Sequence, residues 1–295
     1  MQMAAAGGLM GFVGLFVTGL GTPPHVTAFF RGALGSAWLT ALLAARGRLG
    51  TTRLLGTSVP GATLLAASNA STIAFYFATI VTSGYGVAAF LLYTGGAFAV
   101  ALSRLVLKEP VPRSSVAAFA AAIAGVALLA RPWTGDFGGP GLLTGLLSGA
   151  CLGGNTLSKK IYYSEFARRG RPVPGDLPVA LAWWAVTSMA LVFAVPALIH
   201  VASNGWPDLL LAAGLGLFPT ALAFTLFNSG LRSDDGGDVL AFSYSEPVVA
   251  TALGVVLGQP LSPLDLAGGA LVVGANALAA RSPKSLINLP ARISK

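Results

Sequence analysis

Two charged side chains stand inside long apolar stretches, and they are the first candidates for chemistry. Glu246 lies in Ser243-Tyr244-Ser245-Glu246-Pro247, the single interruption of an otherwise uncharged run, and Arg31 lies seven residues beyond Pro24. A charge among apolar residues that face lipid or a buried interior is costly, so it marks a functional position by default. A carboxylate there can meet the ammonium group of a solute or carry a proton. It can also sit near a helix end, wetted or paired with Arg31. Arg31 can bind a solute carboxylate, but the plainer reading is that it snorkels to headgroups or pairs structurally. Pro247 has no N–H and frees the carbonyl of Ser243.

Aromatic and amide side chains supply the rest of a candidate site. Asn69, Ile73 and Tyr76 share a face at helical spacing, as do Phe90 and Tyr93, while Phe224, Phe227 and Asn228 fall near one face. Asn155 follows Gly153-Gly154. Asn69, Tyr76, Tyr93, Asn155, Phe224, Tyr244 and Glu246 are the expected solute-binding residues. They are of the kinds that line an apolar cavity with a few polar anchors. Each Tyr or Phe also fits plain packing, whereas a buried amide needs partners. Adjacent Trp183 and Trp184 point in different directions, so at most one lines a cavity. Trp133 and Trp206 read as interface anchors.

Other chemistry finds little support. His25 and His200 are far apart in sequence and Cys151 is the only cysteine, so no metal centre, disulfide framework or cofactor is expected. A phosphate-binding GK[ST] loop is missing, so the chain does not hydrolyse ATP. A membrane enzyme would need a nucleophile with its base, or paired carboxylates. A channel or membrane scaffold is the alternative to a transporter, with an enzyme further behind.

These residues need elements to carry them. Of 295 residues, 55% are apolar and 9% charged, against roughly 25% charged in soluble domains. Lipid must therefore be the solvent for most of the surface. Charge-free stretches predict ten helices, at about 3–20, 24–45, 58–81, 85–106, 112–131, 138–160, 177–199, 207–231, 237–258 and 263–281. The first lacks the basic start of a cleaved leader and reads as a span. With the N-terminus inside, sixteen of the eighteen Lys and Arg residues fall in inner loops or the C-terminal tail. Both termini are then cytoplasmic. The net charge of +8 is this bias, not a nucleic-acid footprint.

The chain also resembles itself. At an offset of 150, Val106, Leu107, Pro110, Ala117, Ala120, Ala127, Leu128, Ala130 and Arg131 meet Val256, Leu257, Pro260, Ala267, Ala270, Ala277, Leu278, Ala280 and Arg281. Ala74-Phe75 meets Ala223-Phe224 at an offset of 149. A repeat of five helices makes the second copy enter the membrane from the other side. The expected fold is all-α integral membrane, ten transmembrane helices as two inverted five-helix repeats, 1–134 and 135–295. Glu246 then matches the Gly95-Gly96-Ala97 stretch, and irregular helices at matching points of two halves are a pointer to a transport site. Gly141, Gly145, Gly149 and Gly153 form a stripe that lets a backbone approach.

The steps Leu107-Lys108-Glu109-Pro110 and Leu257-Gly258-Gln259-Pro260, with Gly125-Val126-Ala127-Leu128-Leu129 after the first, resemble the drug/metabolite transporter superfamily, EamA type. Gln259 departs from the usual acid. The resemblance implies an inner-membrane exporter of metabolites, amino acids or drugs, closest in character to exporters of aromatic and neutral amino acids. Its partners would be a small-molecule substrate, the lipid bilayer and protons as a coupling ion, with no nucleic acid.

Overall fold

A computed structural model describes residues 2–108, 113–130, 139–172, 174–226, 245–259 and 261–280. Every regular element among them is helical. The helices are α1 Gln2–Gly11, α2 Val13–Leu20, α3 Pro24–Ala45, α4 Val59–Ser83, α5 Tyr85–Leu92, α6 Gly95–Leu107, α7 Arg113–Ala130, α8 Gly139–Arg168, α9 Leu177–Asn204, α10 Leu209–Gly216, α11 Ser245–Val256 and α12 Pro263–Ala280. A 3₁₀ segment, Leu49–Thr57, joins α3 to α4.

Five helices are long and apolar enough to cross a membrane: Pro24–Ala45, Val59–Ser83, Tyr85–Leu107 taken through its break, Leu177–Asn204 and Leu209–Leu226. Shorter apolar helices cover Ala5–Leu20, Ala120–Leu129, Ser245–Val256 and Pro263–Ala275. Apolar side chains crowd the outside of the bundle, with Leu210 82% and Val195 68% exposed, as a protein bathed in lipid requires.

Local chemistry sets the boundaries. Gly21 takes a left-handed conformation (φ 58°) that ends α2, and Pro24 opens α3 at a position where a missing N–H costs nothing. Ser58 caps α4 through the N–H of Gly61. Ser262 and Asp265 form a reciprocal capping box before α12, the Ser262 N–H donating to the carboxylate and the Asp265 N–H to the hydroxyl. The eighth segment carries a π turn at Leu217–Leu222, around Pro219.

Three expected helices differ from the structure. The first is broken at Phe12 into α1 and α2, and the fourth at Tyr93–Thr94 into α5 and α6, beside the Gly95-Gly96 pair. The sixth runs to Arg168 rather than stopping near 160. Its extension is held by burial of Tyr162 and Phe166 against Leu65, Leu177 and Leu181, and by the Tyr162 hydroxyl donating to the Leu55 carbonyl at 2.9 Å. Beside it Glu165 receives hydrogen bonds from Arg168 and Arg169, and these hold its carboxyl below the usual carboxylate range.

Packing joins helices that are far apart in sequence. α3 lies along α9, α5 on α11, α7 along α12 and α4 along α8. The glycine stripe of α8 faces α5 and α6: a Cβ at Gly153 would stand 2.7 Å from the Phe98 Cβ. α7 and α12 cross backbone to backbone, since a Cβ at Gly125 would lie 2.6 Å from the Gly268 carbonyl oxygen.

Candidate functional site

Arg31 is buried, with 4% of its surface exposed, so the headgroup reading is overturned. The reason lies across the bundle. Pro219 has no N–H to give the Leu215 carbonyl, which would be orphaned inside a helix. The Thr220 hydroxyl donates to it instead, at 2.8 Å. That leaves the Thr220 oxygen free to accept from Arg31 Nε at 3.0 Å, while Arg31 Nη2 approaches the Pro219 carbonyl at 3.4 Å. The guanidinium also sits over the Phe77 ring, 5.6 Å from its centroid, where the π face attracts a cation.

Glu246 lies in the first turn of α11 and is 7% exposed. The Tyr93 hydroxyl donates to its Oε2 at 3.2 Å. Tyr93 stands in the break between α5 and α6, so this bond joins the break of the first half to α11 of the second. Tyr76, from α4, lies within electrostatic reach of both Glu246 and Arg31. Among the described residues no ion pair joins Arg31 to Glu246, although each feels the other's charge. An acid and a base are thus both buried in the bundle without an ion pair between them.

Asn69 and Asn155 are brought together, but as a tie between helices. Asn155 Nδ2 donates to Asn69 Oδ1 at 3.2 Å, and Asn69 Nδ2 donates to the Ala185 carbonyl at 2.8 Å, linking α8, α4 and α9. Each amide has found the partner that burial demands. Phe224 packs apart from the charges, in a small cluster with Leu39, Val186 and Ala221. Tyr244, Phe227, Asn228 and Trp133 lie outside the described residues. Trp183 and Trp184 both serve as ties, Trp183 donating to Thr40 of α3 and Trp184 to the Ala62 carbonyl of α4. Trp206 is largely exposed, as an interface anchor would be.

The histidines are nearer than their sequence separation suggests: the rings of His25 and His200 pack edge to face with centroids 6.0 Å apart. No third metal-ligating side chain joins them among the described residues.

The chain's likeness to known proteins agrees with this architecture. Residues 139–281 match the EamA-like transporter family. An uncharacterized transporter of Archaeoglobus fulgidus is 28% identical over 274 residues, 90% of each chain. A solved crystal structure, described only as that of a protein, is 26% identical, covers 94% of each chain and superposes with a TM-score of 0.61. The second half of the chain is therefore similar to EamA-like transporter domains, and nearly the whole chain is similar to a transporter.

Proposed function

We propose that the protein is a secondary transporter or facilitator that exports small metabolites across the inner membrane by alternating access. Its solutes are amino acids, aromatic ones among them, or drug-like molecules of similar size. The carrying observation is the buried, unjoined pair of opposite charges, Arg31 from the first half and Glu246 from the second. A zwitterion fits between such poles, its carboxylate toward the guanidinium and its ammonium toward Glu246. Each burial would otherwise lack a full counter-charge. Tyr76 and Tyr93 give the space between them a partly aromatic wall, suited to an apolar side chain.

Helix pairing supports two inverted repeats at 1–134 and 135–295. Numbered as ten spans, the second packs on the seventh, the fourth on the ninth and the fifth on the tenth, so equivalent positions of the two halves meet. The third-to-sixth contact has its exchanged counterpart in the first-to-eighth. Swapping the roles of such halves exposes a shared midplane site to either side. The charge bias places both termini in the cytoplasm, and reporter fusions at each end test that topology.

Flux into proteoliposomes decides among functions. A transporter saturates and shows counterflow, a channel does neither, and an enzyme returns an altered product. Aromatic and aliphatic amino acids are expected to compete with one another for uptake, and cationic dyes to compete poorly because Arg31 repels them. Failure of every amino acid to compete overturns the substrate assignment. If protons are the coupling ion, Glu246→Gln removes the pH dependence of flux.

A further inference from the structure

A cavity of about 720 Å³ opens at the end of the bundle where α2 turns into α3 and α4 into α5. Its wall includes Thr18, Thr22, Thr82, Ser83 and Gln259, uncharged groups that offer donors and acceptors. Charge asymmetry places this end outside. The cavity belongs to neither charged pole, yet it is aligned with them. Along the first span, Thr18 and Gly21 line the cavity. One turn deeper, Gly14 lies against the Tyr85 ring, where a Cβ would be 2.6 Å from Tyr85 Cγ. A further turn down, a Cβ at Gly11 would stand 3.0 Å from the Glu246 carbonyl oxygen. The step from Thr18 to Gly11 is about 10 Å at the helical rise. Tyr85, 3% exposed, therefore stands between the cavity and the level of Glu246.

Tyr85 is held at both ends. Its hydroxyl pairs with that of Thr18. Because Thr18 already donates to the Gly14 carbonyl at 2.9 Å, Tyr85 is the donor. Its backbone N–H donates to Gln259 Oε1 at 2.9 Å, joining the first half to the loop before α12. Gln259 fits there because Gly84 (φ 83°) offers no side chain. Nearby, the buried Thr251 hydroxyl has no partner among the described residues, and it faces Gly86, one residue beyond Tyr85.

The elements carrying this closure are short rods. α2 and α5 have eight residues each. Each is set off from the rest of its span by a local irregularity, at Phe12 and at Tyr93–Thr94 respectively, where the backbone stays near helical angles but the regular ladder is interrupted. Both breaks lie at the depth of Glu246: Gly11 touches its backbone and Tyr93 its carboxylate. Breaks of this kind let one part of a helix tilt without the other.

We propose that the cavity is the outer vestibule of the solute path, for neutral or zwitterionic hydrogen-bonding solutes, and that Tyr85 is the gate between it and the Arg31–Glu246 level. α2 and α5 are its two leaves, hinged at Phe12 and Tyr93–Thr94 and latched by Thr18 and Gln259. The inference rests on the transporter reading for its meaning, but its test needs no solute.

The test is thiol labelling from outside intact cells, in a Cys151→Ser background that removes the only native thiol. An Ala250→Cys reporter, on α11 between Glu246 and Gly254, beside which Tyr85 packs, reads access below the gate. A Thr82→Cys reporter reads the vestibule. The Thr82 reporter should react with an impermeant reagent in every variant. The Ala250 reporter should react slowly, then about fivefold faster with Tyr85→Phe, the population weight of one hydrogen bond. Thr18→Val should match that gain, and the double variant should add nothing more. An unreactive Thr82 reporter overturns the vestibule. Equal labelling at Ala250→Cys with and without the hydroxyl pair, or additive effects of the two variants, overturns the gate. Labelling as expected with no amino-acid flux would leave the gate standing and remove the substrate assignment instead.

Discussion

The two buried poles are held in opposite ways. Arg31 is fixed by a hydroxyl, a backbone carbonyl and an aromatic face, on a π turn whose shape is set by Pro219. Among the described residues Glu246 has one side-chain hydrogen bond, from a tyrosine in a helix break. A carboxylate accepts about four hydrogen bonds, so much of its capacity is unspent by Tyr93. The first pole is built to stay still. Under the proposed function the second is the pole that exchanges partners, as binding and releasing a cationic group requires.

Separating stability from transport breaks or sharpens that contrast. The largest effect is expected from Glu246→Gln, which should cut flux at least tenfold while leaving Tm unchanged or raised, because a buried charge is relieved. Arg31→Gln should also cut flux, but with a loss of about 2–3 kcal/mol, since hydrogen bonds to a charged group are removed. Equal Tm shifts for the two variants, read by thermal unfolding in detergent, would erase the distinction between fixed and exchanging poles. Thr220→Val comes next, at about 1–2 kcal/mol, because it strands both Arg31 Nε and the Leu215 carbonyl. Tyr93→Phe should cost about 1 kcal/mol or less in stability and raise the half-saturating solute concentration more than it lowers maximal flux. The smallest effect is at the surface. Glu165 has its carboxyl lowered by Arg168 and Arg169, so its stabilisation is present above the unfolded value and lost as pH falls through the lowered one. Glu165→Gln should shift Tm slightly, and 1 M salt should abolish even that.

Much of this was legible in the sequence. Charge-free stretches marked where apolar helices run, five of them long enough to cross a membrane among the described residues, and the one acid in an apolar run marked Glu246. Helical spacing put Tyr93 where a site could use it. Arg31 was under-read because its position near the start of a helix suggests headgroups. The decisive signal lay 188 residues away, in Pro219-Thr220, where a proline within an apolar span creates a carbonyl in need of a donor. Asn69 and Asn155 were readable as buried amides, but which partner each takes depends on how α4, α8 and α9 pack. The break at Phe12 has no residue signal of its own. The 160–168 extension of α8 has no local signal because much of its hold comes from Leu55 and Leu65, about a hundred residues away.

The Gly125–Gly268 crossing carries a further consequence. At the crossing point main chain is pressed on main chain, each glycine facing the other's carbonyl oxygen, and the side chains of Val272, Leu128 and Leu129 fill the space beside it. The contact can yield only by parting whole helices. Even a single methyl at either position is thus a wedge, and tolerance for substitution there should be close to nil.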